Sequence, residues 1–232
     1  MKARNFTLLL LILLSAVAQS SPRAQYLHPR LRSREVNLRT ALILPPVVSI
    51  QREGMKGATS MIRESEEVGA GLSEIVSAAL REKQISATSE PFSAAALSEA
   101  RELKYVLGDI QKRYDRLEPL LLKKATDVGR GRFSLGDEVA KLDANDSADA
   151  LVFIRASGTK LTTGKKLYGI FVPGSGLWSR LSVSLAIVDS KTGDILFLAK
   201  FKVKGKFVEQ PQQVLAQSVR KALQEFPAAT LS

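Results

Sequence analysis

The stretch LSVSLAIVDSKTGDILFLAKFKV, residues 181–203, decides the architecture. Leu181 to Val188 and Ile195 to Val203 are two runs of strand formers. Asp189-Ser190-Lys191-Thr192-Gly193-Asp194 between them holds turn formers and a glycine able to take positive φ, which reads as a β-hairpin. Upstream, Ala150-Leu151-Val152-Phe153-Ile154 is apolar throughout, as a strand with both faces covered must be. Lys200, Lys202, Lys204 and Lys206 alternate with Phe201, Val203 and Gly205, so period two places the lysines on one side. An edge strand guarded against aggregation and an anion-binding stripe both fit that pattern, and the guarded edge is the better reading.

Working outward, Ala41-Leu42-Ile43-Leu44 before Pro45-Pro46 is a buried strand, followed by a glycine-containing loop. Ile62, Val68, Leu72, Ile75, Val76, Ala79 and Leu80 recur at helical spacing, securely over Leu72–Lys83, and Ile85–Thr88 is a second short strand. Ser93 is the N-cap of a long helix to Lys124. Its seam, Leu103, Leu107, Ile110, Tyr114, Leu117 and Leu121, suits a dimerising coiled coil or packing on the chain's own sheet; the short seam favours the latter. Pro119 should kink or break this helix. Ser134–Leu142 reads as a shorter helix, and Pro211–Phe226 as a closing amphipathic one. The order predicts an α/β (α+β) domain over 40–226: a single mixed β-sheet flanked by helices, with a long inserted helix.

Residues 1–18 read as a cleavable secretory signal: Lys2 and Arg4, an apolar run from Phe6 to Val17, then Ala16-Val17-Ala18 as the cleavage pattern. The expected location is periplasmic or secreted after cleavage near Ala18. Residues 19–39, with scattered arginines and no periodicity, read as a basic disordered leader. The chain has no cysteine, so the core alone carries the fold and no N-terminal lipid can be attached through one. Formal net charge is +11, and +9 without the signal, which favours anionic partners: an envelope protein or an anionic envelope surface rather than nucleic acid.

His28 is the only histidine and lies in the leader, so Cys-His and Ser-His-Asp machinery is excluded from the expected domain, and no metal site or cofactor is expected. Asp143, Asp146 and Asp149 lack the glycine and later glutamate of a calcium loop. The chemistry left to an enzyme is a carboxylate pair acting on a glycan, and nothing marks such a pair. The loop from Thr159 to Arg180 mixes glycine, basic and aromatic residues. Lys165, Lys166, Tyr168, Phe171 and Trp178 are its candidate partner-binding residues; a hairpin folding its apolar side chains onto the core fits equally well.

Gly164-Lys-Lys-Leu-Tyr-Gly-Ile-Phe171, followed by Leu181 through Leu196 with its Thr-Gly-acidic turn, resembles the curli-secretion channel (CsgG-like) family. Asp149-Ala-Leu-Val is similar to the start of that family's central strand, and Leu42–Leu80 fits its first strand and helix. The resemblance implies the mixed α/β envelope fold shared with peptidoglycan-synthase activator lipoproteins and the N-terminal domain of the Tol-system propeller protein. It also implies a non-catalytic role in assembly or scaffolding. Two departures set this chain apart: no cysteine to lipidate, and a Val203–Pro211 segment too short for a second pore-forming hairpin. The expectation is a non-lipidated accessory or scaffold protein for envelope assembly or export. The alternatives are a subunit of a pore-forming outer-membrane oligomer, homo-oligomerisation through Ser93–Lys124, and a carboxylate-based glycan-acting enzyme.

Overall fold

The computed structural model describes residues 24–142, 147–163, 179–204, 207–208 and 211–230. Residues 1–18 therefore lie outside the described residues. A single mixed sheet of eight strands lies between two helical layers. In chain order the elements are β1 (Ala24–Leu27), α1 (Pro29–Arg32), β2 (Thr40–Ile43), β3 (Val47–Gly54), β4 (Gly57–Ser60), α2 (Ile62–Arg81) and β5 (Ser86–Thr88). They continue with α3 (Ala94–Glu99), α4 (Arg101–Lys123), α5 (Ala125–Val128), β6 (Ala150–Leu161), β7 (Arg180–Asp189), β8 (Ile195–Lys204) and α6 (Pro211–Ala222).

β6 is the central strand. On one side it pairs antiparallel with β7, which pairs with β8, which pairs with β1. On the other side β2 and then β3 run parallel to it, end to end across Pro45-Pro46, with β5 flanking β2 and β4 flanking β3. The parallel first half and antiparallel second half agree with the sequence order. Gly193 has φ +73° in the β7–β8 turn, and a Cβ there would run into the backbone of Gly136, so the turn admits only glycine.

α2 and α6 cover one face, burying Val68, Leu72, Val76 and Leu80 with Leu215, Val219 and Leu223 against Ile43, Val152, Ile154, Leu185 and Phe197. Phe197 and Phe226 meet edge to face, ring centroids 5.1 Å apart. α4 covers the opposite face, where Leu107, Ile110, Tyr114 and Leu121 pack on Leu42, Leu44, Leu151, Phe153, Ala186 and Leu198. The seam of the long helix thus lies on the chain's own sheet. A homo-oligomer through this helix would have to use its outer side, where Tyr105 and Leu120 are exposed.

Several expectations need correction. Residues 24–39 are not a disordered leader. β1 pairs with β8, the His28 amide donates to the Leu196 carbonyl at 2.8 Å, and Leu31 and Leu38 are buried. Those apolar residues are too widely spaced to show periodicity, and it is backbone pairing with β8 that orders the segment. The long helix does begin behind Ser93, whose hydroxyl accepts from the Ala96 amide at 3.2 Å. It breaks at Ala100, however, and runs through Pro119 without ending there. Ser134–Leu142 is a bridge at Ser134 and a 3-10 turn over Asp137–Leu142. The expected loop after Pro46 contains the β3–β4 hairpin.

Candidate functional site

The proposed contact residues Lys165, Lys166, Tyr168, Phe171 and Trp178 lie outside the described residues. The ends of their segment do not. Thr159 to Leu161 belong to β6 and Arg180 to β7, so the loop is shorter than its sequence bounds. The Ser179 hydroxyl accepts from the Leu161 amide at 3.2 Å and holds the two strands together where the segment leaves the sheet.

At that end no helix among the described residues lies over one sheet face. Burial along β6 is continuous from Ala150 to Ala156 and stops at Ser157. On β8 it is continuous from Ile195 to Ala199. It then alternates, with Lys200 half-buried, Lys202 and Lys204 exposed, and Phe201 and Val203 buried on the α2/α6 side. Strand register sets the side chains of this face in three rows. The first, Val47, Arg155, Ser184 and Lys200, is the boundary, with Arg155 and Ser184 buried; the open rows are Ser49, Ser157, Ser182 and Lys202, then Gln51, Thr159, Arg180 and Lys204. Neighbouring strands lie about 4.8 Å apart and alternate residues along a strand about 6.6 Å apart. The result is a polar terrace bearing a depression of about 350 Å³.

The floor is polar, and an amphipathic helix gains nothing by covering serine and lysine. Gly158, between Ser157 and Thr159, faces the α2/α6 side, where a Cβ would come within 2.7 Å of Leu181 Cδ1 and 3.3 Å of Phe207 Cζ. Arg155 marks the inner boundary. Its Nε donates to Asp115 Oδ1 of α4 at 2.8 Å, and its guanidinium lies 5.2 Å from the Tyr114 ring centre. Tyr114 stacks on Phe153 with ring centroids 4.6 Å apart. Burial, reinforced by the nearby Glu118 carboxylate, pushes the Tyr114 hydroxyl well above the usual tyrosine range, so it is neutral at physiological pH.

Arg180, Lys202 and Lys204 are exposed, and none of the three, nor Lys200, forms an ion pair among the described residues. Arg180 and Lys204 stand directly opposite one another across β7 and β8. Like charges in that position destabilise a sheet. The lysine alternation was legible in the sequence; its alignment with Arg180, Ser157 and Ser182 was not, because it depends on pairing across three strands. β1 pairs with β8 only over Phe197–Lys200, so from Phe201 to Lys204 β8 has no second strand partner among the described residues and is the edge that the lysine alternation predicts. Lys206 lies outside the described residues.

Asp149 is structural: its Oδ2 accepts from the amides of Arg39 and Thr40 and from the Thr40 hydroxyl, at 2.8, 2.9 and 3.0 Å. Asp143 and Asp146 lie outside the described residues. Among the described residues no group of three His, Cys, Asp or Glu could hold a metal ion. No helix among them is long and apolar enough to cross a membrane.

No family model and no curated protein matches this chain. Among solved structures, it is similar to a PelC dodecamer from Paraburkholderia phytofirmans, at 15% identity and TM-score 0.41, over 90% of this chain and 99% of that one. It is also similar to lipoprotein GNA1162 from Neisseria meningitidis, at 15% identity and TM-score 0.35, over 81% of this chain and 97% of that one. Likeness at this level assigns no activity or partner to the present chain.

Proposed function

We propose that this chain is an exported, non-catalytic accessory or scaffold protein that binds an anionic partner in envelope assembly or export, and that the terrace is its binding surface. The observation that carries the reading is the set of four cations, Arg180, Lys200, Lys202 and Lys204, on a sheet face with no covering helix and no acidic partner among the described residues. Stability alone does not favour such a face, whereas an anionic surface would neutralise it and be steered toward it. The export signal and the resemblance to the CsgG-like family support the envelope as the setting. Lys165, Lys166, Tyr168, Phe171 and Trp178 remain candidate partner-binding residues in this reading, on the aromatic and basic composition of their segment.

Photocrosslinking in intact cells tests this. A photoreactive residue replacing Ser157 or Lys202 should give discrete adducts that the same residue at Glu66, an exposed position on α2, does not. Equal adducts at all three positions, or none at the terrace, would count against the terrace as the binding surface. Mass spectrometry of exported material should find an unlipidated N-terminus at or near Gln19; an intact Met1 would remove the export claim.

A further inference from the structure

We infer that the ligand of the terrace is an acidic polysaccharide chain lying in the step between α4 and the open strands. The inference rests on the reading of the terrace as the binding surface and narrows the partner to one chemistry.

Three features select a glycan. The terrace offers neutral hydrogen-bonding groups as well as charge. Ser49, Ser157, Ser182, Thr159 and Gln51 share its rows, and their side chains make no hydrogen bond among the described residues. Hydroxyl and amide groups at regular strand spacing match the repeated hydroxyls of a sugar chain, while Lys202, Lys204 and Arg180 match its carboxylates. Second, the cations form a line: Lys200, Lys202 and Lys204 follow one another at about 6.6 Å along β8, which suits a linear polyanion better than a single small anion.

The third feature is shape. α4 lies on the same face immediately behind Arg155, tied to it through Asp115. A helix with its side chains is about 10–12 Å thick, so α4 is a wall of that height beside the first row. A flat layer of lipid head groups resting on that wall would stand farther from Lys200 than one screening length, about 8 Å at physiological salt. A flexible chain can descend into the step and reach the floor.

The test uses the mature full chain and three probes: polygalacturonate oligomers, dextran of matched length, and phosphatidylglycerol vesicles. Binding is measured by titration calorimetry or co-sedimentation at two salt concentrations. One variant combines Arg180→Ser, Lys202→Ser and Lys204→Ser. A charge-matched control combines Arg63→Ser, Arg81→Ser and Lys221→Ser, exposed on α2 and α6 over the other face. Polygalacturonate should bind and dextran should not. The terrace variant should lose at least tenfold in affinity and the control less than threefold. Ser157→Ala and Ser182→Ala, which keep the charge, should weaken polygalacturonate binding about two- to fivefold and leave any vesicle binding unchanged.

Equal losses in the two triple variants would reduce the effect to net charge and overturn the inference. Terrace-dependent vesicle binding without polygalacturonate binding would overturn the glycan assignment while leaving the terrace as the partner surface. Absence of terrace crosslinks in cells would remove the proposed function itself, whatever polygalacturonate does in solution.

Discussion

One face of this sheet has two ends built on opposite rules. At the covered end, Leu151, Phe153, Ala186 and Leu198 lie under α4 and are fully or almost fully buried. Two residues farther along the same strands, the equivalent positions are Arg155, Ser184 and Lys200, and beyond them no helix among the described residues covers this face. The other face shows no such break, because Val183, Phe201 and Val203 stay buried against the α2/α6 layer. The strands are therefore held firmly from one side, while among the described residues the opposite side carries no helix. Substitution on the terrace should alter binding with little effect on folding, and substitution under α4 should do the reverse.

The sharpest way to break that contrast is Phe153→Ala. Phe153 is fully buried and stacked on Tyr114, so its truncation should cost about 3–5 kcal/mol in denaturant unfolding. A loss below about 1 kcal/mol would mean that α4 does not pack as described. Next in size is Asp149→Ala at the covered end, which strips three hydrogen bonds from the start of β2. Its expected cost is about 1–3 kcal/mol, since two amides and a hydroxyl lose their acceptor.

A smaller effect concerns pH. His28 is buried, and burial holds its pKa below the ordinary 6.5, against the opposing attraction of Asp194 and Asp189. Its Nδ1 accepts from the Arg30 amide at 3.1 Å, which requires the unprotonated ring nitrogen. The unfolded chain takes up this proton as pH falls through 6.5, while the folded chain resists it. Stability should therefore be intact above 6.5 and decline as pH falls below that value. His28→Gln should flatten this decline; an unchanged profile would show that His28 is not its source.

The smallest effect lies on the terrace. Lys202→Ser should shift unfolding by no more than about 0.5 kcal/mol, the usual range for an exposed position away from packed features. A large loss there would mean that the face is part of the folding core and would erase the contrast between the two ends.

Most of the elements at the covered end were legible from residue pattern. The apolar run at 150–154, the hairpin turn at Gly193 and the α2 periodicity each name their element because burial on a fixed period leaves a trace in the chain. β3 left none. With one side on the terrace, only Ile50 is fully buried in Val47–Gly54, and the stretch reads as a loop. β1 went unread because a four-residue edge strand is specified chiefly by the backbone of β8.

By itself, the sequence determined the identities of β2, β5, β6, β7 and β8, the two-sided burial of β6 and the places where continuous burial ends in β7 and β8. Continuous apolar runs give way to alternation at Lys200 in β8, and Ser182 and Ser184 interrupt β7 in the same way. Those changes are a one-dimensional record of how far the α4 layer reaches, because a strand needs apolar residues only on faces that are covered. Only the tertiary structure decided that these breaks fall in register. Bringing Ser157, Ser182 and Lys202 into one row requires backbone hydrogen bonds between strands far apart in the chain, and their alignment is set by the packing of both helical layers.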